Sequence, residues 1–132
     1  MERIDLAPGV ALSRLVYGMW RLAHHVVTSG DLAYLQERGL PPMAWSPLAG
    51  GTVFATSPAP LHAELARQAE RHGVDMAAVA VAWLLRHLAR ILPVLGTNDL
   101  ARIAAIGDAA RVVLDRQDWF TLYTHALGHE VP

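Results

Sequence analysis

The chain has 132 residues, 53% of them apolar and 17% charged, with a formal net charge of −1. That is enough chain for one small domain with a real core, and too apolar a chain for a disordered one. The near-neutral balance gives no basic field for nucleic acid, and the absence of cysteine excludes disulfides and thiolate chemistry.

Met1 to Asp5 lacks the basic-then-apolar layout of a signal peptide, so a cytoplasmic protein is expected. Residues 2–6 alternate polar and apolar, which predicts a half-buried strand; Ala7-Pro8-Gly9 is a turn signal, and Val10 to Ser13 returns as the partner strand of a hairpin. Leu15-Val16-Tyr17-Gly18 reads as an apolar strand that breaks at a glycine, with Met19-Trp20-Arg21 beyond it. Residues 22–30 show no clean period. Asp31 to Arg38 reads as a helix that Gly39 ends. Pro42 to Ser46 is a short buried strand carried by Met43, Ala44 and Trp45; Pro47 has no N–H for a ladder, so the strand stops there, and Gly50-Gly51 permits a sharp turn or a close approach to a ligand.

Ser57-Pro58-Ala59-Pro60 opens a helix from Leu61 to His72, with Leu61, Leu65 and Ala69 as its apolar stripe and Gly73 as its stop. Asp75 is the expected N-cap of a helix from Met76 to about Leu88. Met76 to Leu85 is apolar on every side, which predicts a helix sandwiched between neighbours; it is too short to span a bilayer. Ile91 to Leu95 is a second short strand, and Gly96-Thr97-Asn98-Asp99 leads from it into a helix carrying Leu100, Ile103 and Ile106, capped by Asn98 or Asp99. Asp115 caps the last helix, where Trp119, Leu122 and Tyr123 share a face, and Gly128 ends it. The chain thus holds two strand-loop-helix units in tandem, the arrangement in which α/β proteins keep anion sites.

Three stretches carry a resemblance. Leu12-Ser13-Arg14-Leu15-Val16-Tyr17-Gly18-Met19-Trp20-Arg21-Leu22 is similar to the opening strand of the aldo-keto reductases, (β/α)8 barrels that reduce carbonyls with NADPH. Pro42 to Gly51 resembles that family's seventh strand and loop. Ala80 to Pro132, which includes Ala82-Trp83-Leu84-Leu85-Arg86 and Pro93-Val94-Leu95-Gly96-Thr97-Asn98, resembles its eighth strand and closing helices. The resemblance implies an α/β fold: a partial (β/α)8 TIM barrel of strands one, seven and eight with their helices, plus the N-terminal hairpin, in a single domain over 1–132. It also implies an NADP(H) half-site. Trp45 takes the place of the aromatic residue that stacks on the nicotinamide, and Ser46, Leu48 and Gly50 offer backbone N–H groups to the pyrophosphate. Gly96, Thr97, Asn98 and Arg102 form the loop that holds the adenosine 2′-phosphate, while Gly18, Met19 and Trp20 line the cofactor from strand one. A hydroxyl, a helix N-terminus and a forked guanidinium suit a dianionic phosphate.

The chain departs from the family in what lies between. The catalytic Asp, Tyr, Lys and His of the family follow strands two to four. Here no such lysine motif and no Asp-x-Ala-x-x-Tyr occurs, and the sequence passes from Leu22 to His24-His25-Val26-Val27-Thr28, which resembles the end of strand six. An internal deletion with its junction near 22–28 is expected, leaving an oxidoreductase-like fragment that keeps the NADP(H) half-site and lacks its catalytic residues. Ala105 and Ile106 stand where the family places Glu and Asn against the adenine. Two other readings stay open: a non-catalytic module that self-associates through an exposed sheet, and a gene remnant. Residue by residue, Trp45 also reads as a packed core aromatic, Arg102 as a solvated helix residue, and Gly50-Gly51 as a turn alone. His24-His25 and His125 with His129 have no acidic cluster beside them and are not read as a metal site.

Overall fold

The computed structural model describes residues 3–7, 10–13 and 29–131. Strands β1 (Arg3–Ala7) and β2 (Val10–Ser13) pair antiparallel, with Arg3 opposite Ser13 and Ala7 opposite Val10, as the expected hairpin. The expected strand at residues 15–18, with Met19, Trp20 and the junction near 22–28, lies outside the described residues, so a sheet order through that strand is not observed. Helix α1 (Ser29–Glu37) follows, and Gly39 and Leu40 close it by donating to the carbonyls of Gln36 and Leu35.

The two units of the sequence reading become one parallel pair. Strand β3 (Met43–Trp45) lies beside β4 (Leu92–Val94), in register, with Met43 opposite Leu92 and Trp45 opposite Val94. Between them run a tight turn at Ala49–Gly51, the short helix α2 (Thr52–Thr56), α3 (Ala59–His72) and α4 (Met76–Leu85); after them come α5 (Leu100–Gly107), a tight turn at Asp108–Arg111 and α6 (Arg116–Leu127). Most expected boundaries move by one to three residues. Ser46 leaves β3 because its φ is +51°, outside the strand region. The helix expected to reach Leu88 stops at Leu85. Helix α2 was not expected: five residues with three β-branched side chains carry no sequence signal, and Gly51, at φ +92°, starts it.

Helix α4 is sandwiched, as its composition requires, between α3, α5, β4 and the turn at Asp108–Arg111. Ala78, Val79, Val81 and Ala82 are buried and form a core with Leu65, Ala69, Ile106, Leu114 and Leu122. Asp75 stands at its N-cap position without making a side-chain cap hydrogen bond, whereas Asp115 caps α6 by accepting from the Asp118 N–H at 2.8 Å.

Two polar devices tie the helices together. Trp83 of α4 and Trp119 of α6 stack at 4.6 Å with ring planes 7° apart, and each indole N–H donates to the other residue's carbonyl at 3.0 Å. Tyr123 packs obliquely on both rings, which completes the expected aromatic face of α6. Between α3 and α6, the buried Asp118 carboxylate accepts from Arg67 at 3.1 Å and from Arg71 at 2.7 Å, and Arg67 also forks onto Glu64. Glu64 and Gln68 are buried beside the expected stripe of α3, so that stripe is wider and more polar than the apolar spacing suggests.

Candidate functional site

Because β3 and β4 are parallel neighbours in register, the loops that follow them leave the same edge of the sheet side by side. That edge, at the carboxyl ends of parallel strands, is where α/β folds bind ligands. The loop after β3 is tightly wound. Ser46, Ala49, Gly50 and Gly51 all have positive φ, at 51°, 48°, 65° and 92°, and two of these are not glycine. Such backbone strain persists where the surrounding structure over-determines it. Two hydrogen bonds close the loop, donated by the N–H groups of Ala49 and Gly51 to Ser46 and Leu48. These donors alternate with Ser46, Leu48 and Gly50, the three positions expected to offer N–H groups to a pyrophosphate.

Trp45 ends β3 with 55% of its surface exposed, so it is not the packed core aromatic of the alternative reading. The strand period explains this. Pro42, Ala44, Ile91, Pro93 and Leu95 share the face turned to the helices, with Pro42 and Ile91 buried. Met43, Trp45, Leu92 and Val94 share the other face, on which Leu92 is 39% exposed.

After β4, Gly96, Thr97 and Asn98 run along the surface to Asp99, the N-cap of α5. The Asp99 N–H donates to Thr97 Oγ1 at 3.2 Å. The Asp99 carboxylate accepts from the N–H of Ala101 at 2.9 Å and of Arg102 at 3.3 Å, and its other oxygen lies 3.7 Å from Arg102 Nε. Arg102 is solvated, with its side chain 75% exposed. Thr97, Asn98 and Arg102 therefore lie within one turn of chain at the ligand edge, next to the β3 loop. Their hydroxyl, amide and guanidinium fit a phosphate, but the helix N-terminus they share already holds a carboxylate. The sequence offers Asn98 and Asp99 equally as the cap, and the structure shows Asp99 in that role. Gly18, Met19 and Trp20 lie outside the described residues. Ala105 is half-buried and Ile106 is buried in the core, so neither offers a polar group to a base.

The model of the Aldo/keto reductase family matches residues 1–126. The chain belongs to that family. It is 57% identical over 110 residues to a 6-dehydroglucose reductase of Agrobacterium fabrum, covering 83% of this chain and 37% of the relative. A 6-dehydroglucose reductase of Novosphingobium aromaticivorans is 37% identical over 107 residues, covering 79% of this chain and 35% of its own length. Among solved structures, a thermostable aldo-keto reductase superimposes with a TM-score of 0.64 at 20% identity, over 73% of this chain and 33% of that one. An aldose reductase of Giardia lamblia gives 0.58 at 20% identity, over 79% and 34%. This aldo-keto reductase chain thus spans about a third of the length of the relatives it matches. Among its described residues no three His, Asp or Glu side chains gather as a metal site, and no helix is long and apolar enough to cross a membrane.

Proposed function

We propose that this chain is a partial (β/α)8 barrel of the aldo-keto reductase family that binds a nicotinamide dinucleotide at the ends of β3 and β4 and does not reduce carbonyls alone. The observation that carries the reading is the parallel, in-register pairing of β3 with β4. It sets the strained Ser46–Gly51 loop beside the Thr97–Arg102 loop at one edge. In this reading the pyrophosphate lies against the N–H groups of Ser46, Leu48 and Gly50. Trp45 offers an exposed ring to the nicotinamide, and Thr97, Asn98 and Arg102 receive the 2′-phosphate of NADP(H). The bound cofactor would supply the hydride. A carbonyl also needs a proton donor, and a positioned one is worth about 10²–10⁴-fold. All 11 basic residues of the chain are arginine, so it has no lysine to lower the pKa of a tyrosine.

One preparation tests both halves. Losing one charge-assisted contact costs about 1.5–3 kcal/mol, so Arg102→Ala should weaken NADPH by tenfold or more. The unmodified protein should bind NADPH and turn over no aldehyde. Equal NADPH affinity in the two proteins removes Arg102 from the site, and robust turnover overturns the loss of catalysis.

A second reading rests on the open sheet face. Met43, Trp45, Leu92 and Val94 form an apolar surface that in a closed barrel would face the axis, and apolar faces of this kind favour association between copies. A self-associating chain is therefore compatible with the first reading rather than exclusive of it.

A further inference from the structure

We infer that Asp99 is the specificity-determining residue of this site: its carboxylate is a built-in competitor for the cofactor's 2′-phosphate. The inference rests on the dinucleotide reading above and goes beyond it.

A 2′-phosphate held by this loop would use the guanidinium of Arg102, the hydroxyl of Thr97 and the first N–H groups of α5. The protein's own anion is already engaged with two of these parts, the N–H groups and the guanidinium. One Asp99 oxygen takes the N–H groups of Ala101 and Arg102, at 2.9 and 3.3 Å. The other lies 3.7 Å from Arg102 Nε. Thr97 Oγ1 accepts from the Asp99 N–H at 3.2 Å. The Asp99 and Arg102 side chains are 54% and 75% exposed, so the pair stands on the surface a cofactor would approach. An arriving dianion must displace the carboxylate or sit beside a like charge, and both weaken binding. A dinucleotide with a 2′-hydroxyl meets no such conflict, because a carboxylate accepts a hydrogen bond from a hydroxyl. Asp99 therefore penalises NADPH and spares NADH.

The substitution Asp99→Asn isolates the charge. Asparagine is as good an N-cap as aspartate, so α5 keeps its start while the competing anion is lost. Calorimetric titration of NADPH and NADH into the full chain and the variant reads the effect. The expected result is an NADPH Kd lower by about tenfold in Asp99→Asn, the size of one charge-assisted contact, with the NADH Kd unchanged or higher. Asp99→Ser, a neutral cap of smaller volume, should shift NADPH the same way and guards against a misfolded first variant. If both dinucleotides bind and neither Kd moves in either variant, Asp99 does not set the preference, although the site stands. If both Kd values fall together, the effect is not specific to the 2′-phosphate and the inference is overturned. If neither dinucleotide binds any of the proteins, the inference falls together with the site.

Discussion

The helical half and the sheet end of this chain handle their polar and apolar groups in opposite ways. In the helical half, α4 packs between α3, α5, β4 and the turn at Asp108–Arg111, each tryptophan of the Trp83–Trp119 pair satisfies the other's carbonyl, and the Asp118 carboxylate is held by two guanidiniums. At the sheet end, one face of β3 and β4 leaves Trp45 and Leu92 partly open to solvent, and the loop after β3 winds through four residues of positive φ. Groups that are mutually satisfied stabilise a fold, whereas exposed apolar surface and backbone strain lower stability unless something binds there. The division assigns stability to α3, α4 and α6 and, under the proposed function, binding to the ends of β3 and β4. Substitutions in the first region should therefore change unfolding with little effect on ligand titrations, and substitutions in the second should do the reverse.

The largest expected effect is at the tryptophan pair. Trp119→Ala removes a stacked ring, its N–H bond to Trp83 and its contacts with Phe120 and Tyr123. Aromatic truncations in cores cost about 3–5 kcal/mol, and the half-buried position of Trp119 points to the lower end. Denaturant unfolding checks it, together with loss of the near-ultraviolet circular dichroism of the stacked rings. A change below 1 kcal/mol would show that α6 does not depend on the pair.

A smaller effect is expected at the charge clamp. Asp118→Ala leaves Arg67 and Arg71 without their shared carboxylate, but both arginine side chains are about half exposed and can be solvated. A cost of about 1–3 kcal/mol follows for the lost charge-assisted bonds. The clamp also sets a pH dependence. The hydrogen bond from Arg67 holds the Glu64 carboxyl below its ordinary value despite its burial. At Asp118 burial pushes the carboxyl up, but the Gln68 amide and the two arginines outweigh it, so it too is held low. Groups depressed in the folded state contribute stability above their unfolded values of 4.5 and 3.8, and that stability is lost as the pH falls through the lower folded values. The thermal midpoint should be flat near neutrality and fall below about pH 4.5. In Asp118→Ala the acid-side fall should be shallower, and an identical pH profile in the two proteins would remove the clamp as its cause.

How far this division could be seen in the sequence depends on what kind of signal each part leaves. The sandwiched α4 was legible because ten consecutive apolar residues call for neighbours on more than one side. The two strands were legible from short apolar runs stopped by Pro47 and Gly96. Family membership was legible from the three motifs. The clamp was not, since a pattern that treats polar residues as exposed cannot see that Glu64, Gln68 and Asp118 meet across about fifty residues of chain. Nor was α2, whose five residues are set by the left-handed Gly51 rather than by helix propensity. At the candidate site, the loop carrying Thr97, Asn98 and Arg102 was legible as the segment that follows the second strand, but the occupation of that helix N-terminus by Asp99 is a matter of side-chain geometry. Sequence offered two possible caps and no way to choose between them.

The smallest effect on stability, and the one that bears most on assembly, is expected at Trp45. Its side chain lies on the open face of β3 beside Met43, and across the pair that face continues through Leu92 and Val94. A parallel sheet ordinarily has both faces covered, and the two parallel strands among the described residues cannot close on themselves, since about eight strands are needed for a filled barrel. Replacing an exposed tryptophan by a small polar residue removes little buried area, so Trp45→Ser should shift the thermal midpoint by only a few degrees. It should have a larger effect on association, because it takes the largest side chain off the apolar face. Sedimentation velocity of the unmodified chain at low micromolar concentration should show dimers or larger species, and Trp45→Ser should move the distribution toward monomer. Helix–helix substitutions such as Trp119→Ala should not produce that shift in the fraction that remains folded. A single monomeric species with a sharp thermal transition in the unmodified chain would show that the open face is compatible with a stable monomer, and the self-associating reading would then be abandoned.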